Sequence, residues 1–177
     1  MARGDLSSPL IVSVLAALFK RTIRNNDPIA AFSGQPVPEA AKLGATIFSG
    51  EDKVEIPIEF YLHKILVNTF CSPSSYVVAF IYLDRFFNRH PSVLLNSCNV
   101  HRLVVTAILT AVKFSDESYN DTNAYYAKVA EISLCEMNEL EVCFLFGVQF
   151  DLHVRVDVYD AYYSFLESQI ESLFFDT

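Results

Sequence analysis

Apolar residues recur at intervals of three and four along most of this chain, and they never alternate at a period of two over a useful length. In "SSPLIVSVLAALF" the positions Ile11, Val14, Leu15, Leu18 and Phe19 form one stripe, with Ser7 or Ser8 to cap the start and Pro9 in the first turn. A second stripe, Ile58, Tyr61, Leu62, Ile65, Leu66 and Thr69, predicts a helix over residues 58–70. The segment "CSPSSYVVAFIYLDRFFNRHP" predicts another, opened by serines and Pro73 and stopped before Pro91, with Tyr76, Val77, Phe80, Ile81, Leu83 and Phe87 inside. Between the first two helices, residues 25–57 hold four prolines and three glycines and read as an ordered or partly ordered connector.

Residues 97–115 carry the strongest signal. Val100, Leu103, Val104, Ala107, Ile108 and Ala111 repeat at helical spacing, and Val105, Leu109 and Val112 fill the other side. A helix apolar nearly all round is packed by neighbours on several faces, so this one is predicted to be central. A short helix over residues 125–130 follows the "YNDTN" turn. Ser133 then caps a helix that ends near Gly147, with Met137, Leu140, Phe144 and Val148 on one face and Leu145 beside them. A last helix over residues 157–174 carries Val158, Tyr162, Phe165, Leu166 and Ile170. The fold class is all-α. Residues 1–57 are expected to form an N-terminal helix and connector, and residues 58–177 a helical domain.

Composition narrows the function. A chain of 177 residues suits one domain with a full core. Its 52% hydrophobic content against 19% charged residues points to buried helices or an apolar partner surface. The net charge of −8 opposes nonspecific phosphate binding, which needs clustered Lys and Arg, so no nucleic-acid partner is expected. Cys71, Cys98, Cys135 and Cys143 lack the spacing of a zinc knuckle and are expected to be reduced, mostly buried thiols; the four histidines form no i,i+4 ligand pair. No metal, cofactor or small-molecule ligand is expected. The apolar run after Pro9 is too short to span a bilayer and is followed by Lys20, Arg21 and Arg24, so it reads as a helix of an intracellular protein of the cytoplasm or nucleus, with no membrane partner. Glycine-rich phosphate loops, G-x-S-x-G elbows and H-E-x-x-H pairs are absent, which argues against an enzyme with catalytic residues of its own.

The "TAVKFSDES" segment is peculiar in setting Lys113 and an aromatic at the exit of the most apolar helix. Taken alone, a lysine there is ordinarily a favourable partner of the helix dipole, and Glu141 in mid-helix is ordinarily solvated. Three segments in order, "YLDRFF", "AILTAVKFSDE" and "EMNELEVCFLFGVQFDLHV", resemble the cyclin box. The flanks "CSPSSYVVAFIYLDRF" and "NAYYAKVAEISLCEMNELEVCFLFGVQFDL" are similar to the Pho-type cyclins of fungi and the P/U-type cyclins of plants. The resemblance implies a single five-helix box with flanking N- and C-terminal helices, and a regulatory subunit that binds and activates a cyclin-dependent protein kinase, in cell-cycle or nutrient signalling. It implies that Lys113 and Glu141 hold the kinase's PSTAIRE-type helix, with Phe114, Leu145, Phe150 and Leu152 as apolar contacts and Asp116 near the activation segment. The alternatives are a cyclin-fold transcription adaptor, which needs a basic face, or a scaffold that binds without activating.

Two departures follow from the same resemblance. Cell-cycle cyclins carry a Met-Arg-x-x-Leu patch that docks substrate peptides; Val54, Glu55 and Ile58 stand there in this chain, so the arginine is replaced by an acid. That arginine normally pairs with the aspartate of the "DRF" segment, which leaves Asp84 in need of another partner.

Overall fold

The computed structural model describes residues 7–32, 47–50, 55–69, 71–115 and 123–175. Among them are seven α-helices and no strand: α1 (Ser8–Phe32), α2 (Ile58–Asn68), α3 (Pro73–Arg89), α4 (Val100–Ser115), α5 (Asn123–Ala130), α6 (Leu134–Gly147) and α7 (Val156–Phe175). Five helices, α2 to α6, share one core, to which α1 adds Ile11, Val14, Leu15 and Phe19 and α7 adds Leu166.

Helix α4 is the axis of this arrangement. Val100, His101 and every residue from Leu103 to Val112 are buried, and α3, α6, α2 and α5 all pack against it. Two threonines survive in this apolar setting because each hydroxyl donates back along the helix, Thr106 to the Arg102 carbonyl at 2.6 Å and Thr110 to the Thr106 carbonyl at 2.8 Å. The even spread of apolar residues around α4 thus becomes all-round burial.

Helix α3 is more central than its stripe suggests. Tyr82 and Phe86, outside the expected inner set, are wholly buried, whereas Phe80 and Phe87 are only partly covered. Phe86 stacks on Phe144 with ring centroids 5.5 Å apart and meets the edge of Phe48 at 5.5 Å. Gly147, at the end of α6, makes this approach possible: a Cβ there would lie 2.5 Å from the Phe86 ring.

Helix α1 continues to Phe32 and runs through Pro28, so residues 25–32 are helix rather than connector. The punctuation by proline is overridden by tertiary bonds from the turn before it: Asn26 Nδ2 donates to the Leu95 carbonyl at 2.9 Å, and Asp27 accepts from the Ser97 amide at 2.8 Å. The Ser133 cap forms as expected, its hydroxyl accepting from the Glu136 amide at 3.0 Å. Among the residues of α7 whose burial is described only Leu166 is fully buried, while Phe165 is half exposed and stacks on Phe80. The expectation of mostly buried cysteines fails: Cys71 alone is buried, Cys98 and Cys143 are partly covered, and Cys135 is exposed on the outer side of α6. No helix of the described residues is long and apolar enough to cross a membrane.

His101 introduces a titratable group into the core. Its Nε2 lies 2.8 Å from the Ile56 carbonyl, so that nitrogen carries the hydrogen, and its Nδ1 is buried without a hydrogen-bond partner among the described residues. Burial, helped by the neighbouring Arg102 charge, holds the imidazole below its ordinary pKa, against the opposing pull of the Ile56 carbonyl. The ring is therefore neutral in the fold and protonates more readily in the unfolded chain. Stability should fall as pH drops below about 6.5, because only the unfolded state gains that proton. In chemical denaturation between pH 7 and pH 5, His101→Gln, which keeps a donor for Ile56, should show a shallower loss than wild type; equal slopes would exclude this histidine as a cause.

The centrality of α4 yields a second measurement. Leu103→Ala and Ile108→Ala each leave a cavity where close packing cannot collapse, and each should lower unfolding free energy by about 2–5 kcal/mol. Thermal scans unchanged for both would contradict all-round packing of this helix.

Candidate partner-binding surface

The exit of α4 and the middle of α6 meet at one surface. Leu140 and Phe144 anchor α6 inward, which turns Glu141 toward the end of α4, where Lys113 is the first residue to leave the core. Lys113 Nζ is ion-paired with Glu141 Oε1 and donates to Asn123 Oδ1 at 3.0 Å. Asn123, the first residue of α5, donates in turn to Glu141 Oε2 at 2.6 Å and to Asn138 at 2.8 Å. The lysine side chain is 29% exposed and the glutamate 14%. Neither charge is simply solvated: they satisfy one another through an amide clamp drawn from three helices. The helix-dipole account of Lys113 therefore describes only part of its environment.

Apolar side chains flank this clamp. Phe114 is 54% exposed beside Lys113, and Leu145, one turn after Glu141, is partly covered. Beyond α6 the backbone turns sharply, with Gln149 and Phe150 both at φ 56°, a left-handed conformation unusual for such residues. This turn leaves Phe150 57% exposed and brings it edge-on to Phe146 with centroids 5.2 Å apart. Leu152 packs partly against the core. Between Phe114, Leu152 and Tyr159 lies an open cavity of about 350 Å³, also bordered by Val78 and Val154. Asp116, and with it the expectation placed on an acid near the activation segment, lies outside the described residues.

The segment after α6 is held from behind by α3. Arg85 donates to the carbonyls of Asp151 at 2.6 Å and His153 at 3.0 Å, Arg89 pairs with the Asp151 carboxylate at 2.8 Å, and the Tyr82 hydroxyl donates to the Leu152 carbonyl at 2.7 Å. Burial pushes the Tyr82 hydroxyl up to about 12, which keeps it a donor. Asp84, on the same helix, accepts from the Tyr162 hydroxyl at 2.5 Å and from Asn88 at 2.9 Å. Its partner is thus a tyrosine of α7, a pairing that no spacing in the sequence reveals.

At the start of α2, Glu55 is exposed and Ile58 buried, while Val54 lies outside the described residues. Glu55 borders a cavity of about 370 Å³ with Lys20, Ile56, Ile58 and Glu59. The ion pair with Lys20 at 2.7 Å holds the Glu59 carboxyl below its ordinary range. Three surface residues escaped the sequence reading: Asn123, Val142 and Phe146. Asn123 carries no signal in the sequence. Val142 and Phe146 do, because they are apolar residues on the side of α6 opposite its core stripe, and they are 51% and 68% exposed. Among the described residues no three His, Cys, Asp or Glu side chains converge as a metal site.

Comparison with known proteins agrees with this architecture. The family model described as cyclin matches residues 10–152, from the first turn of α1 to Leu152. The chain is 48% identical over 176 residues to Cyclin-P4-1 of Oryza sativa subsp. japonica, covering 98% of this chain and 81% of that protein. It is 41% identical over 174 residues to Cyclin-U4-1 of Arabidopsis thaliana, covering 96% and 83%, and 34% identical over 174 residues to rice Cyclin-P3-1, covering 98% and 70%. Both the all-helical box and these similarities to P-type and U-type proteins lead to one assignment: the chain belongs to the cyclin family.

Proposed function

We propose that this cyclin is the regulatory subunit of a cyclin-dependent protein kinase and not itself a catalyst. The Lys113–Glu141–Asn123 clamp, set among Phe114, Leu145, Phe150 and Leu152, is the observation that carries this reading. A kinase is active only when the lysine of its strand and the glutamate of its mobile C-helix are paired. A partner that binds only the inward position of that helix shifts the population toward the active state by its differential affinity. The clamp offers a cation and an anion at fixed separation for polar groups on such a helix, while the aromatics supply apolar area around it. The acidic balance of the chain favours this reading over a DNA-bound adaptor. The protein would act inside the cell, in cytoplasm or nucleus, in cell-cycle or nutrient signalling.

Because the two charges pair with each other, charge reversal tests folding and binding together, and a charge swap separates them. Lys113→Glu and Glu141→Lys should each lower stability by about 1–3 kcal/mol, less than the loss for breaking a fully buried pair. Each should weaken kinase binding by about 2–5 kcal/mol, or roughly thirty-fold to several-thousand-fold. The double swap should recover melting temperature yet leave binding and activation lost, since the partner still meets reversed charges. Recovery of kinase activity by the swap would reduce the clamp to an internal brace. A complex that forms but stays inactive with the wild-type chain would support a scaffold instead.

The start of α2 generates a separate expectation. Glu55 stands where an arginine is expected for the docking of R-x-L peptides, so shape and local charge differ, and discrimination of this kind works through repulsion as well as lost attraction. Fluorescence anisotropy with a standard R-x-L peptide should show no binding at micromolar concentration. Micromolar affinity that disappears on mutation of Glu55 and Ile58 would refute it.

A further inference from the structure

The outer side of α6 has no internal role that accounts for its composition. Cys135, Glu139, Val142 and Phe146 are spaced by four, three and four residues, lie opposite Met137, Leu140 and Phe144, and are all exposed. Phe146 is 68% exposed and is joined by Phe150 from the following turn. Large aromatics at such exposure form a patch that a soluble surface ordinarily avoids.

The backbone points the same way. Two successive non-glycine residues in the left-handed region, Gln149 and Phe150, form a strained turn, and strain of this kind persists where surrounding structure holds it and clusters at functional sites. Here the hold comes from Arg85, Arg89 and Tyr82, which fasten residues 151–153 immediately behind the turn. The result is a rigid aromatic pair standing outward rather than a frayed helix end.

Resting on the kinase-binding reading above, we infer that Val142 and Phe146, joined to the first contact through Phe150, form a second anchor for the same kinase, which reaches round α6 and seats an apolar socket flanked by a basic residue against Glu139. Continuity supports one partner. Around the helix, Glu141, Leu145, Val142, Phe146 and Glu139 follow one another without an intervening core position. Charge gives the chemistry of the opposing surface. Helix α6 holds Glu136, Glu139 and Glu141 and neither Lys nor Arg, so a second copy of this chain, with its own net charge of −8, would bring like charges together.

The experiment titrates wild type, Phe146→Ser, Glu139→Lys and the Lys113/Glu141 double swap against the recombinant catalytic subunit of the kinase that the chain activates. Phe146→Ser should leave the melting temperature nearly unchanged, because the ring is outside the core, and should weaken affinity at least tenfold, equivalent to about 1.4 kcal/mol. Glu139→Lys should slow association, with the deficit shrinking as salt is raised. Undiminished affinity for Phe146→Ser, with binding lost in the swap, would overturn the second anchor and leave the clamp standing. Loss with Phe146→Ser but not with the swap would support the aromatic anchor and overturn the clamp. Tighter binding by Glu139→Lys would overturn the basic flank, and indifference to every variant would overturn both readings.

Discussion

Complete burial of one helix governs this structure. From Leu103 to Val112 the side chains of α4 have no route to water, so every neighbouring helix is obliged to present an apolar face to it. Such a helix must also stop being buried somewhere. Its exit at Lys113 and Phe114 is where the core's geometry becomes surface geometry, and the positions of Glu141 and Asn123 are set by how α6 and α5 pack against the same axis. The clamp is rigid because its three members belong to helices already fixed by the core.

Legibility in the sequence followed the same division. The helices of the box, their order and the centrality of α4 were readable because periodic apolar positions report burial directly, and Ser133 announced its cap through local chemistry. The end of α1 was not readable: Pro28 is a local stop signal, but Asn26 and Asp27 are tied to residues 95 and 97, about seventy positions away. Tyr82 and Phe86 were missed as core for a related reason, since α3 is covered on more sides than one stripe describes.

The candidate site was legible only in part. Lys113, Phe114, Glu141, Leu145, Phe150 and Leu152 were named through likeness to a family, and their chemistry alone would have left Lys113 a helix-end cation. That the two charges engage each other follows only from how α4 and α6 pack, as does the role of Asn123, whose amide supplies both a donor and an acceptor between them. Phe146 could have been noticed by asking why α6 is apolar on both sides. Asp84 could not have been paired from sequence, because Tyr162 lies seventy-eight residues away.

That last pairing bears on covalent regulation. The Tyr162 hydroxyl is pushed up to about 12, first by burial and then by its bond to Asp84, so it remains a protonated donor between α7 and α3. Esterifying that oxygen with phosphate would remove the donor and set an added charge of about −1.5 to −2 against a carboxylate at hydrogen-bonding distance. A phosphate installed on Tyr162 after local opening of α7 would therefore keep that helix from returning to α3.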